Sequence, residues 1–325
     1  MPTFLSSILI RPARPALAVL ALAAALLAGA APLRAEKLTI LLDWFLNPDH
    51  GPLVVALERG FFAEEGLEVE LIEPADPNDP PKLVAAGKAP VAISYQPQLH
   101  IQAAAGLPLA RIGTLVATPL STLLVLDESP VRSIADLKGR KVGFSVGGFE
   151  DAVLGAMLEK AGLGLNDVTL VNVNFSLSPS LLSGQVDAVI GAYRNFELNQ
   201  LTIEGRKGRA FFVEEEGVPA YDELIVVANA KRLDDPRLPA LLRAIERGVQ
   251  YTINHPEEAW QSFIAHRPAL DDALNRLAWG DTLPRFALRP AALDRGRYAR
   301  FAEFLQARKV IDSSPPVESY AVELP

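Results

Sequence analysis

The chain of 325 residues contains no cysteine. Disulfides, thiolate-held metals and cysteine nucleophiles are excluded on that ground, as is a lipid anchor on an N-terminal cysteine. Histidine is scarce: only His50, His100, His255 and His266 occur, none at HExxH or similar spacing. A zinc enzyme is therefore a poor fit. Excess basic charge is missing too, the formal net charge being −8. That leaves no electrostatic footprint for nucleic acid or an anionic membrane. No internal repeat or low-complexity tract appears beyond the N-terminal segment. What is present is an ordinary globular composition, half of it apolar, long enough for one or two domains with ample core.

Residues 1–35 stand apart from the fold. Arg11 and Arg14 precede a run from Ala16 to Ala31 that is almost entirely Ala, Leu and Val, followed by small residues and Ala35. A basic region, an apolar region and a cleavage zone in that order predict a secretory signal peptide over 1–35. A retained membrane anchor is the competing reading on length. Cleavage is expected after Ala35, with Leu33 an indifferent −3 residue. The mature protein is expected to be exported, soluble, periplasmic and monomeric.

The stretch Leu38 to Leu71 organises the rest. Leu38 to Leu42 is a short apolar run suited to a buried strand. Asn47-Pro48-Asp49 is turn and cap chemistry, and Pro52 suits a first helical turn. Apolar residues recur at helical spacing from Leu53 to Phe62, Gly66 ends the helix, and Leu67 to Leu71 alternates as a strand. Strand, crossover helix and strand make a right-handed βαβ unit within a parallel sheet. Ligands of open α/β sheets bind beyond the carboxyl ends of such strands. Asp43, Trp44, Asn47 and His50 lie there, a place suited to a flat polar ligand.

Further along, the spacing predicts a helix over Lys82 to Ala86 and a strand over Val91 to Ile93, with Ser94, Tyr95 and Gln96 just past its end. A helix over Leu99 to Ala105 and strands over Arg111 to Ala117 and Thr122 to Leu126 follow. Then the pattern restarts: a strand over Lys141 to Ser145, Gly147-Gly148, a helix over Asp151 to Lys160, a strand over Val168 to Val173, a helix over Pro179 to Ser183 and a strand over Val186 to Ile190. Glu223 to Ala228 is a strand expected to return the chain to the first lobe. Helices over Pro239 to His255, from Pro256, around Asp272 to Trp279 and over Ala291 to Lys309 complete the set. The expected architecture is α/β in two lobes: lobe 1 from 36–120 and 224–325, lobe 2 from 121–223. Two crossings between them make a hinged inter-lobe cleft.

Four segments in order carry a family resemblance: DWFLNPDHGPLVVALERGFFAEEGLEVEL, LVAAGKAPVAISY, DLKGRKVGFSVGG and SGQVDAVIGAY. They resemble ABC-transporter substrate-binding proteins related to thiamine pyrimidine synthase, over about Lys37 to Pro268. DW-x-x-N-x-x-H in particular is similar to the branch that binds thiamine pyrimidine precursors. The resemblance implies a type II periplasmic binding protein fold and a permease partner in the inner membrane. It also implies a small heteroaromatic ligand, a hydroxymethyl- or formylaminomethyl-pyrimidine, and no cofactor. Riboflavin, a sulfonate, nitrate or another small acid is the alternative from neighbouring branches. The eukaryotic synthases in the group use a lysine after the strand that ends here at Ile93, and a cysteine cluster before the return strand. This chain has Ser94 and Ala220-Tyr221-Asp222-Glu223 in those places. Without the amine and the thiolates, synthase chemistry is not expected. A sensor role, with a signalling receptor reading the same clamp, stays open.

Each candidate site residue has two readings. Trp44 stacks on a heteroaromatic ring or packs in the core. Asp43 and Glu197 accept from an exocyclic amine; otherwise Asp43 caps its loop and Glu197 is a solvated helix residue. Tyr95 and Tyr193 each follow a strand, one per lobe, and either sandwich a ring or pack internally. Asn47 and His50 bind polar ligand edges, or Asn47 caps the next helix and His50 is structural. Gly147 and Gly148 cradle an anion at a helix N-terminus or simply turn the chain. Tyr221 and Asp222 sit at the second crossing, within reach of the cleft.

Overall fold

The computed structural model describes residues 35–324; the expected signal peptide lies outside them, apart from Ala35. In chain order the elements are β1 (Glu36–Leu41), α1 (Gly51–Glu58), α2 (Phe61–Glu64), β2 (Leu67–Ile72), α3 (Pro80–Ala85), β3 (Val91–Ser94), α4 (Gln96–Ala104), β4 (Leu109–Val116) and β5 (Ser121–Leu126). They continue with β6 (Lys141–Phe144), α5 (Phe149–Lys160), β7 (Thr169–Asn172), α6 (Leu177–Leu182), β8 (Ala188–Tyr193), α7 (Glu197–Ile203), β9 (Gly208–Phe212) and β10 (Leu224–Asn229). Helices α8 (Arg237–Asn254), α9 (Pro256–His266), α10 (Ala273–Thr282) and α11 (Arg295–Ala307) close the chain.

Two five-stranded sheets result, ordered β2-β1-β3-β10-β4 and β7-β6-β8-β5-β9. In the first, β1 runs parallel to β2 and β3, while β10 is antiparallel to both β3 and β4. In the second, β6 runs parallel to β7 and β8, while β5 is antiparallel to β8 and β9. β5 and β10 therefore occupy equivalent places in the two sheets, and the chain passes between the sheets just before each. Glu223 ties the two passages together. Its Oε2 accepts from the backbone N–H groups of Leu120 (2.6 Å) and Ser121 (2.9 Å).

The first sheet is the more deeply covered. Every residue of β4 and β10 is buried, as is α1 from Gly51 to Ala56. Helix α8 covers α1 with Leu238, Leu241, Leu242, Ile245 and Val249, a stripe at three- and four-residue spacing. Each such side chain contributes about 1.5–3 kcal/mol by leaving water. The fit needs a glycine: a Cβ at Gly248 would lie 2.3 Å from the carbonyl oxygen of Pro52.

Three expectations need correction. The helix predicted over Leu53 to Phe62 is two helices, because Gly60 takes φ +75° and starts α2. The helix predicted from Asp151 begins two residues earlier, at Phe149, which places Glu150 in its first turn. The helix predicted over Ala291 to Lys309 is confined to Arg295–Ala307. The segment before it is held irregular by Arg111, whose buried guanidinium donates to the carbonyls of Pro290 (2.9 Å) and Ala291 (3.0 Å). Among the described residues no helix is long and apolar enough to cross a membrane.

Candidate functional site

The chain leaves β1 at Leu41 and turns at once. Asn47, with extended backbone, caps a short 3-10 turn over Pro48–His50 by accepting from the Asp49 N–H at 2.8 Å. His50 completes the box, its Nδ1 accepting from the Asn47 N–H at 3.3 Å. With Nδ1 an acceptor, the ring proton sits on Nε2, which donates to Asp43 Oδ1 at 2.9 Å. Tyr95, entering α4, donates its hydroxyl to Asp43 Oδ2 at 2.8 Å. Both oxygens of Asp43 are thus held from behind by neutral donors. Asp49 Oδ1 receives Asn195 Nδ2 at 2.6 Å and Thr282 Oγ1 at 2.8 Å, while Asp49 Oδ2 is buried without a partner.

The second sheet supplies the opposite wall. Glu150, in the first turn of α5, accepts the Ser145 N–H on Oε2 at 2.7 Å. It lies against Gly191 of β8, where φ is +88° and a Cβ would sit 2.2 Å from Glu150 Oε1. Glu197, the first residue of α7, accepts the Tyr193 N–H at 2.6 Å. The Tyr193 hydroxyl is buried without a partner.

Between these walls lies a narrow cavity. Asp43, Trp44, Asn47, Asp49 and Tyr95 line it from the first sheet's side. Val146, Phe149, Glu150, Leu177, Gly191, Tyr193, Phe196 and Glu197 line it from the second's. Four carboxylates and five aromatic rings therefore face one another, with no lysine or arginine among the lining residues. Burial is the main force on these acids, since it penalises the charged form. It pushes Asp49 up to about 6, against hydrogen bonds from Thr282 and Asn195. It pushes Glu197 up to about 7 against the Tyr193 N–H, and Glu150 up to about 8 against the Ser145 N–H. Burial also drives the Tyr95 and Tyr193 phenols well above their ordinary value. Among the described residues, no group of three or more His, Asp or Glu is placed to hold a metal ion.

Six residues singled out from the sequence meet here: Asp43, Trp44, Asn47, Tyr95, Tyr193 and Glu197. Glu197 is buried rather than solvated, and Asn47 is both cap and lining residue. Five others do not line the cavity. His50 is fully buried behind Asp43 and orients it. Gly147 and Gly148 make no anion cradle, because Asn78 Oδ1 already accepts the Gly147 N–H and Asp151 Oδ2 the Gly148 N–H, each at 3.1 Å. Tyr221 is buried edge-on against Phe149 and Phe301. Asp222 is turned toward Thr114 (2.9 Å) and Arg297. Ser94, at the position where a lysine would be needed for a Schiff base, donates to Gln98 Oε1 at 3.1 Å.

Asp49, Phe149, Glu150 and Phe196 were not singled out from the sequence. For Glu150 a signal existed. Positions 150, 154, 157 and 158 form one buried face of α5, with the acid in line with Leu154, Met157 and Leu158. A carboxylate on an apolar stripe at a helix start marks a buried, functional acid.

Comparison with known proteins agrees with this architecture. A family model described as NMT1/THI5 like matches residues 47–259. A Haemophilus influenzae protein named for thiamine biosynthesis is 56% identical over 290 residues, covering 89% of this chain and 92% of its own. A formylaminopyrimidine-binding protein of Halalkalibacterium halodurans is 38% identical, covering 69% of this chain and 68% of its own. The alkanesulfonate-binding protein SsuA of Xanthomonas axonopodis pv. citri, solved with MOPS bound, superimposes with a TM-score of 0.69. It covers 88% of this chain and 98% of its own at 17% identity, a likeness of fold alone. The two mixed sheets with their helices have the periplasmic binding protein fold, and the chain belongs to the NMT1/THI5-like family.

Proposed function

We propose that the chain is the periplasmic solute-binding component of an ABC importer, and that it captures a thiamine-type aminopyrimidine precursor, hydroxymethylpyrimidine or formylaminopyrimidine. One observation carries the reading: a cavity whose walls combine aromatic faces with four carboxylates and no lining cation. Trp44, Tyr95, Phe149, Tyr193 and Phe196 offer flat surfaces to a ring, and the acids accept from an exocyclic amine. Lobe 1 is then 36–120 with 224–325 and lobe 2 is 121–223, with Glu223 clasping the hinge between them. Contacts between the lobes, such as Asn195 to Asp49, favour the closed population. The inner-membrane permease reads that closed form, and the protein acts as a monomer delivered to the periplasm by its leader.

The competing anionic ligands, a sulfonate or nitrate, are disfavoured by electrostatics. Each would enter a low-dielectric cavity facing acids with no lining lysine or arginine to pair it. Synthase chemistry is disfavoured by Ser94 and by the lack of cysteine.

A thermal-shift panel of aminopyrimidines, thiamine, riboflavin, taurine and nitrate tests the reading. A ligand at about a hundred times its Kd adds about 2.7 kcal/mol to stability, a rise on the order of 5 °C for a chain of this size. The expected result is a rise with an aminopyrimidine that Trp44→Ala abolishes. A rise with taurine or nitrate alone would overturn the ligand class and leave the transport role standing.

A further inference from the structure

We infer that the cavity takes its ligand as a cation: a weakly basic nitrogen heteroaromatic whose ring nitrogen carries a proton while enclosed. The inference rests on the ligand class proposed above and adds its charge state.

The argument is one of donors and acceptors. Asp43, Asp49, Glu150 and Glu197 present acceptor oxygens to the cavity. Donors are few, because the Tyr95 hydroxyl is taken by Asp43 and the Asn47 amide donates to the Phe45 carbonyl at 3.0 Å. The Tyr193 hydroxyl is the buried lining donor left without a partner, and Asp49 Oδ2 is the buried lining acceptor left without one. A neutral aminopyrimidine brings two ring nitrogens that are acceptors; a protonated acid can donate to one of them, but Asp43, which accepts on both oxygens from His50 and Tyr95, offers no such donor. Protonation converts one of them to a donor and, by conjugation with the exocyclic amine, spreads positive charge over both groups. That species matches the lining.

The surrounding charges do not supply the balance. His50 donates to Asp43 as a neutral ring through Nε2. Arg194 is paired bidentately with Glu214 at 2.7 and 2.8 Å, and Arg297 with Asp222. Arg285, the remaining cation on the side of Asp49, points its Nη1 to Thr118 Oγ1 at 3.4 Å. Asp151 adds negative charge beside Glu150, Glu223 is itself pushed up to about 7 by burial, and the buried phenols of Tyr95, Tyr193 and Tyr221 carry none. Charge on the four lining acids is therefore neutralised by protons or by the ligand. Burial already holds three of them well above their ordinary values, which is the first of those two outcomes in the empty cavity. On binding, a proton passes from a carboxylic acid or from solvent to the ring nitrogen. One O–H bond breaks as one N–H bond forms, and the enclosed pair is a carboxylate and an amidinium.

The test is nitrogen NMR of a ring-labelled 4-aminopyrimidine bound to the protein at about pH 8, calibrated with the free compound titrated from acid to neutral. The expected bound resonance is that of the protonated ring, its titration raised by at least about three units, which equals a thousandfold preference for the cation. Asp49→Asn keeps an acceptor for Asn195 and Thr282, and is expected to weaken binding at least tenfold and return the ring titration toward its free value. A bound resonance at the neutral position overturns the inference and leaves the ligand class standing. If no aminopyrimidine binds, the ligand class itself has failed and the inference with it.

Discussion

The two sheets follow one strand plan, yet the walls they build around the cavity are made differently. On the first sheet's side the acids are held in place before any ligand arrives. Asp43 has a donor on each oxygen, and Asp49 Oδ1 has two. On the second sheet's side Glu150 and Glu197 each accept one nearby backbone N–H, and burial holds them above their ordinary values. The first wall is preorganised by hydrogen bonds, even where burial raises Asp49 to about 6; the second rests more fully on unfavourable electrostatics that a cationic partner relieves. Placing buried acids at a site in this way costs stability and gains selectivity.

Glycine substitutions should break the comparison most strongly. Gly191→Ala puts a Cβ into Glu150 and forces an alanine to φ +88°, while Gly248→Ala puts one into the Pro52 carbonyl within a regular helix. Each is expected to cost about 3 kcal/mol or more in urea unfolding. Only Gly191→Ala is also expected to abolish ligand binding, because Glu150 must leave the wall. Equal loss of affinity in both variants would mean that the cavity depends on overall packing and not on the carboxylate.

A smaller effect separates the two kinds of acid. Asp43→Ala strands the His50 N–H and the Tyr95 hydroxyl in the interior, at a cost of about 2–4 kcal/mol. Glu150→Gln keeps an acceptor for Ser145 and is expected to cost within about 1 kcal/mol. The pH dependence sharpens this. Raised carboxyl values mean that the folded state favours the protonated acid, so stability is full at low pH and is lost as pH rises through the folded value. For Asp49 the loss runs from about 4 to about 6, for Glu197 from about 4.5 to about 7, and for Glu150 from 4.5 to about 8. The ligand-free melting temperature should accordingly fall across that window. Glu150→Gln should flatten the alkaline end and Asp43→Ala should lower the whole curve. A melting temperature that climbs between those values would refute the assignment of buried, reluctant charge.

The same division decides how much was legible in the sequence. The first wall rests on a local segment: Asp43, Trp44, Asn47 and His50 follow a strand within eight residues, and their turn chemistry is written in Asn47-Pro48-Asp49. The second wall depends on tertiary approach. Glu150 matters because Gly191, forty-one positions later, has no side chain to push it away. A Gly147-Gly148 pair before a helix suggests an amide cradle, but Asn78, from a distant loop, accepts from one of those amides. Tyr221 and Asp222 precede β10, but packing against Phe301 and pairing with Arg297 turn them away from the cavity. Alternating strands and helices gave the architecture because periodicity is local, whereas side-chain direction at a crossing is not.

Asn78 offers the finest probe of how the walls are joined. It stands in the loop after β2, on the first sheet's side, and reaches across to the turn before α5. Its Nδ2 donates to the Ser145 carbonyl at 3.2 Å and its Oδ1 accepts the Gly147 N–H at 3.1 Å. Ser145 in turn donates its N–H to Glu150, so the bridge positions the second wall's acid through one intervening residue. Both bonds are partly solvated, so water replaces them when the walls separate and each is worth about 0.5–1.5 kcal/mol. Asn78→Ala should therefore leave urea unfolding nearly unchanged and weaken ligand binding about three- to tenfold, through a smaller closed population. Isothermal titration with the ligand found in the thermal screen measures it. If affinity is unchanged while stability falls, the bridge belongs to the resting fold and the walls come together without its help.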